Sequence, residues 1–146
     1  MADAKPAILP LSAVRELEFL GYPAEDRYVT VWQGQGNCPF DIRRVFTIHA
    51  TKNGLIGGRH AHRSCTQLLV ALSGSCEVIC KDENGKQISK MLDHPTSGVV
   101  IPPSIWGEQH YRSDDCTLMV ICDEYYDPDD YIRDFDDYAR YRRGEG

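Results

Sequence analysis

Short runs of β-branched, aromatic and other apolar residues recur along the chain with turn residues between them, a pattern that predicts an all-β protein. The runs are Tyr28–Trp32, Ile42–His49, Gln67–Leu72, Ser75–Cys80, Gln87–Met91, Gly98–Ile101, Ile105–Tyr111 and Cys116–Cys122. In Ser75–Cys80 the residues Cys76, Val78 and Cys80 fall on one face and Glu77 on the other, the alternation of a half-buried strand. Gln67–Leu72 is almost continuously apolar, which predicts a strand covered on both faces. The pairs Asn53-Gly54 and Asn84-Gly85 suit turns with positive φ, and Gly74-Ser75 predicts another tight reversal. Strands this short and this regularly spaced predict a sandwich or barrel.

The carboxy-terminal stretch has a different period. Asp127 before Pro128 has the form of an N-cap with proline at the first helical position. Beyond it Ile132, Phe135, Tyr138 and Ala139 share a helical face, with acidic residues leading and Arg140, Arg142 and Arg143 closing, as the helix dipole favours. A helix over about 128–142, packed on the β-structure, is expected.

Composition narrows the class. At 146 residues, 42% hydrophobic and 26% charged, the chain suits a single domain over 1–146 with its own core. No apolar run approaches the roughly 20 residues that cross a bilayer. Met1 to Pro6 carry no apolar segment behind a basic start, so a cytoplasmic location is expected. Six cysteines sit mostly inside apolar runs without a C-x-x-C pair, which predicts buried thiols rather than a zinc ribbon. The net charge of −6, with acid concentrated from Asp123 to Asp137, argues against nucleic acid as partner. An anionic small ligand stays compatible, since a few arginines suffice to hold a phosphate.

The chemistry concentrates in Gly57-Gly58-Arg59-His60-Ala61-His62-Arg63-Ser64-Cys65-Thr66-Gln67. Histidines two apart on an extended chain project to one face, where imidazoles serve as metal ligands or as acid–base groups. The spacing resembles the first cupin motif, with Gln67 at the position of the acidic ligand and Gly74 at that of the closing glycine. The second motif corresponds to Gly98 through His110; its histidine position falls on Gly107, and His110 follows three residues later. Two of four ligands are thus replaced by an amide and by no side chain, which predicts metal-free acid–base chemistry with no cofactor. A three-histidine metal site completed by His110 would require a bulged strand.

Several blocks together resemble the sugar-nucleotide 3,4-ketoisomerases, a cupin family. They are Cys38 to Phe46, His60-Ala61-His62-Arg63 with Gln67-Leu68-Leu69, Pro102-Pro103-Ser104-Ile105-Trp106-Gly107-Glu108, and Tyr125 to Phe135. The resemblance spans roughly residues 26 to 141. It implies a cupin jelly-roll barrel with a short C-terminal helix, a homodimer exchanging N-terminal strands over about 26–50, and no metal. It implies conversion of dTDP-4-keto-6-deoxyglucose to a dTDP-3-keto-6-deoxyhexose. Such products are later aminated, sometimes acylated, for lipopolysaccharide, capsule, S-layer or antibiotic glycosylation. His60 and His62 match the family's catalytic histidines.

A neutral histidine near its ordinary pKa could take the C3 proton beside the C4 ketone, giving an enediol, with the second histidine, Gln67 or a tyrosine as donor to the oxyanion. The pyrophosphate calls for arginine, and Arg44, Arg59 and Arg63 lie on or beside these segments, although alternation turns Arg59 away from His60. Trp106 is a candidate for stacking on sugar or thymine, and equally for the core; His110 joins it as a candidate substrate contact. Gly107 replaces the histidine or arginine common in the family, and this is expected to bear on which face of C4 is reprotonated. Thr47 stands where relatives often have an aromatic residue, so a proton relay would use another hydroxyl. A non-catalytic sugar-nucleotide-binding cupin and a metal-dependent cupin enzyme are the competing functions.

Overall fold

The computed structural model describes residues 7–145. Residues 1–6, read above for a secretory signal, lie outside the described residues. After a 3-10 turn at Leu11–Ala13 come three four-residue strands, β1 (Arg15–Glu18), β2 (Gly21–Ala24) and β3 (Arg27–Thr30). The main strands are β4 (Arg44–Ala50), β5 (Ile56–His62), β6 (Gln67–Ser73), β7 (Cys76–Lys81) and β8 (Gln87–Leu92). They continue with β9 (Ser97–Ile101), β10 (Trp106–Tyr111) and β11 (Cys116–Cys122). A two-residue strand, β12 (Tyr131–Ile132), precedes the helix α1 (Phe135–Arg142). No described helix is long and apolar enough to cross a membrane.

Two five-stranded sheets face each other, ordered β1-β9-β6-β11-β4 and β12-β5-β10-β7-β8. Every pairing between these strands is antiparallel, and the sheets do not close into a continuous hydrogen-bonded barrel. The hairpin β2–β3 forms a separate two-stranded sheet.

Strand parity sorts the side chains into three apolar clusters. The inner cluster takes Leu69 and Ala71 from β6, Cys76, Val78 and Cys80 from β7, and Leu118, Val120 and Cys122 from β11. The alternate residues Leu68 and Val70 of β6, with Met119 and Ile121, form a second cluster on the outer face under Trp32, Phe40 and Ile42. That is why Gln67–Leu72 reads as continuously apolar: both faces of β6 are covered. All six cysteines are buried free thiols. The turn glycines Gly54 and Gly85 adopt φ of +93° and +77°, as their Asn-Gly pairs require.

The carboxy-terminal segment differs from the helix expected over about 128–142. Asp127 does cap a turn, its side chain accepting from the Asp129 amide, but the turn is a 3-10 turn at Pro128–Asp130. Tyr131 and Ile132 then pair with His62 and Ala61 of β5, so edge pairing displaces helix there. Asp134 accepts from the Asp137 amide and starts α1 afresh. Ile132 and Tyr138 pack with Trp106 and Ala61 on the outer face of the second sheet.

Candidate active site

β5 carries the two histidines. Gly58 and Arg59 both have positive φ, +74° and +59°, and the β5–β10 register slips there, with Gly107 opposite His60 but Glu108 opposite Gly58. This is a β-bulge, which re-aims the strand. A Cβ at Gly58 would displace the Gln109 amide end, which it meets at 2.7 Å, and the positive φ there favours glycine. Past the bulge His60 and His62 face inward and Ala61 packs outward with Trp106. The two imidazoles stand edge to face, ring centroids 5.0 Å apart.

A cavity of about 70 Å³ between the sheets is lined by His60, Gln67, Gln109, Tyr131 and the apolar Phe46 and Val120, among others. Tyr131 enters from β12, its ring centroid 5.0 Å from that of His60 and 4.4 Å from that of His62. Arg44 lies beside this group on the inward face of β4. Its guanidinium donates to Cys122 Sγ at 3.5 Å and stacks against Phe46 and Tyr126, 5.4 Å from each ring centroid. Gln67 donates to the same sulfur at 3.7 Å.

His62 is 5% exposed, and its Nδ1 lies 3.0 Å from Asp130 Oδ2. Asp130 also accepts from the Ser64 and Cys65 amides at 2.8 and 3.2 Å. Burial works against its charge, yet the His62 and amide hydrogen bonds hold its carboxyl below the usual range. His60 goes the other way. Burial, then the neighbouring charge of His62 and that of Arg133, push its pKa down to about 4, so this imidazole is neutral at physiological pH. His60 Nδ1, His62 Nε2 and Arg44 Nε are buried with no hydrogen-bond partner; polar atoms so placed mark where a polar ligand fits.

The structure therefore brings Arg44, His60, His62 and Gln67 together and places three other candidates elsewhere. Arg59 is exposed at the bulge. Trp106 and His110 do not face the cavity, because β10 alternates regularly against β7 and presents Gly107, Gln109 and Tyr111 inward. Trp106 is buried beneath Phe135 and Tyr138 and donates from Nε1 to Glu108 at 2.9 Å. His110 pairs with Glu108 at 2.9 Å on that same outer face. The bulge that a third histidine ligand would have needed in β10 lies in β5 instead. The cupin metal set is not assembled: the inner face offers two imidazoles, a neutral amide and, at Gly107, no side chain. His62, Cys65 and Asp130 bring ligand atoms within 4.8 Å of one another, but Asp130 is already satisfied by His62 and two amides.

Sequence reasoning missed Asp130, Tyr131 and Gln109. Asp130 was read as a helix-leading acid, although its partner is 68 residues away. Gln109 was legible in principle, since parity from Gly107 puts it on the inner face and His110 outside.

Comparison with known proteins places the whole of this β-structure in one family. The family described as FdtA, WxcM-like, C-terminal, matches residues 13–143. A TDP-4-oxo-6-deoxy-alpha-D-glucose-3,4-oxoisomerase of Aneurinibacillus thermoaerophilus is 45% identical over 105 residues, covering 72% of this chain and 75% of the relative. The structure of QdtA, a sugar 3,4-ketoisomerase from Thermoanaerobacterium thermosaccharolyticum in complex with TDP, superposes with a TM-score of 0.87 at 30% identity, covering 92% of this chain and 98% of that one. WlaRA, a TDP-fucose-3,4-ketoisomerase from Campylobacter jejuni, superposes with a TM-score of 0.81 at 31% identity, covering 89% and 96%. The fold is the cupin-like one of these enzymes.

Proposed function

Because the chain belongs to the FdtA family, WxcM-like C-terminal, we propose that it is a dTDP-sugar 3,4-ketoisomerase acting by histidine acid–base catalysis. The substrate is dTDP-4-keto-6-deoxyglucose and the product a dTDP-3-keto-6-deoxyhexose for deoxyamino sugar synthesis. The enzyme works in the cytoplasm as one cupin domain per chain, paired in a homodimer that exchanges strands of about 26–50.

The observation that carries this reading is the contrast between the two imidazoles. His60 lines the cavity and is kept neutral by burial and neighbouring positive charge. His62 has the Asp130 carboxylate at Nδ1, which fixes its ring and leaves the unpartnered Nε2 for the substrate. A neutral imidazole on the cavity suits a base, and one positioned by a carboxylate suits a hydrogen-bond donor to the substrate. His60 takes the C3 proton, acidified by the adjacent C4 ketone. His62, positioned by Asp130, donates to the oxyanion of the enediolate. Gln67 and Gln109 supply neutral donors on the same wall, and Arg44 places positive charge beside the diphosphate-bearing ligand.

The test is incubation with dTDP-4-keto-6-deoxyglucose in deuterated buffer, followed by NMR at C3 and C4. Loss of the C3 proton, deuterium at C4 and a 3-keto species are expected, with both steps abolished in His60→Asn. His62→Asn should retain binding and lose turnover. Absence of exchange in a wild-type protein that still binds the nucleotide would leave a binding cupin.

A further inference from the structure

Isomerisation from a 4-keto to a 3-keto sugar moves two protons. One leaves C3 and one arrives at C4, which His60 handles. The other passes from the C3 oxygen to the C4 oxygen. That transfer needs a group able to give and take a proton together; His60 is occupied with carbon, and His62, its Nδ1 held by Asp130, has only Nε2 to offer the C4 oxygen. Neutral amides such as Gln67 and Gln109 hydrogen-bond but do not relay protons readily. Among the described residues lining the cavity, the one hydroxyl is that of Tyr131. Thr47 is exposed on the outer face of β4, while Phe46, its inward neighbour, has no hydroxyl. Tyr111 is buried in the inner cluster behind Gly57.

We propose that Tyr131 is the proton relay between the two sugar oxygens, an inference that rests on the ketoisomerase reading above. Its ring stands against both His60 and His62 and lines the same small cavity as the base. Two cations flank it. The Arg44 guanidinium stacks on Tyr126, whose ring centroid is 6.0 Å from that of Tyr131, and the Arg133 guanidinium lies over the Tyr131 ring, 4.4 Å from its centroid. Both bring positive charge near the ring from which the proton passes.

The steps balance as follows. His60 removes the C3 proton, and the C3–H electron pair becomes the C3=C4 double bond as the C4 carbonyl becomes an oxyanion. Tyr131 gives its proton to that oxygen and takes the proton of the C3 hydroxyl. The C3 oxyanion then re-forms a carbonyl, and the double-bond pair takes a proton at C4 from the protonated His60. Tyr131 ends as it began.

The relay separates two measurable events, since the C3 proton can wash out without any oxygen-to-oxygen transfer. In Tyr131→Phe, deuterium is expected to enter C3 of recovered substrate at a rate within about fivefold of wild type. Formation of the 3-keto product should fall on the order of 100-fold or more, the usual range for a lost acid–base group. Product formation within a few-fold of wild type would overturn the relay, and so would equal loss of exchange and isomerisation. As a second arm that keeps the ring, 3-fluorotyrosine at position 131 should move the pH profile of product formation to lower pH and leave that of exchange in place; an unmoved profile would overturn the proposal. A wild-type protein with no C3 exchange would refute the ketoisomerase reading itself, which the two Tyr131 arms do not address.

Discussion

Protonating His60 puts a charge into a wall it shares with His62, with Arg133 close by. The consequence is a stability effect with a definite sign. Its folded pKa of about 4 lies below the ordinary 6.5, so below pH 6.5 the unfolded chain takes up a proton that the folded chain refuses. Stability is intact above pH 6.5 and declines as pH falls from 6.5 towards 4, by at most about 3 kcal/mol. Urea unfolding from pH 7 to pH 5 should show this decline in the wild type and a flatter response in His60→Asn. The neighbouring position makes a second prediction. Gly107 pairs with His60 across the sheet and faces inward, and a Cβ there would meet only the Ile101 methyl end at 3.2 Å. Gly107→His should therefore fold and project an imidazole beside His60, changing the gluco-to-galacto ratio of the product by NMR. An unchanged ratio would show that this wall does not direct reprotonation at C4. The histidine pair itself was legible from a two-residue spacing, because strand parity is a local property. Asp130 was not, because a contact across 68 residues leaves no mark on local periodicity.

Elements that support the site behave the same way. β6, β7 and β11 were readable because burial on one or both faces imposes an apolar pattern. β1 (Arg15-Glu16-Leu17-Glu18) and β2 (Gly21-Tyr22-Pro23-Ala24) were not. β1 is an edge strand whose only half-buried residue is Leu17, and its order comes from pairing with β9. The segment 128–132 carries genuine helix-start chemistry, yet pairing with β5 overrides propensity. β12 is paired to β5 and backed by α1, whose Tyr138 packs in one cluster with Ile132. The Tyr138 hydroxyl accepts from the Trp106 amide at 3.2 Å and donates towards the carbonyls of Lys81, at 2.7 Å, and Ser104, at 3.0 Å. Tyr138→Phe keeps the packing and removes these links inside a fully buried setting, so a loss of about 1–2 kcal/mol is expected by urea unfolding. Since Tyr131 is set by β12, turnover should fall at high temperature before the variant unfolds globally. Unchanged stability would mean that burial of the ring alone secures the helix.

At the scale of the whole molecule, the hairpin β2–β3 is hydrogen-bonded to neither main sheet and exposes Tyr22, Tyr28 and Val29 at 55%, 53% and 45%. A two-stranded sheet alone is marginal in water, and exposed aromatic and β-branched residues grouped together favour association. β4, which follows, is an edge strand with Val45 53% exposed on its outer face. Exchange of this amino-terminal region between two copies would cover both features at once, and it is the arrangement expected of the family. Light scattering should then give twice the 16.5 kDa of the chain at micromolar concentration. Because folding and association would be coupled, the unfolding midpoint should also rise with protein concentration. Tyr28→Asp, which places a charge in the covered patch, should shift the population to monomer and lower the midpoint, leaving the His60–His62–Asp130 arrangement within each chain. A wild-type monomer with a concentration-independent midpoint would mean that the hairpin is stable on its own chain, and that one copy carries the complete active site without its partner.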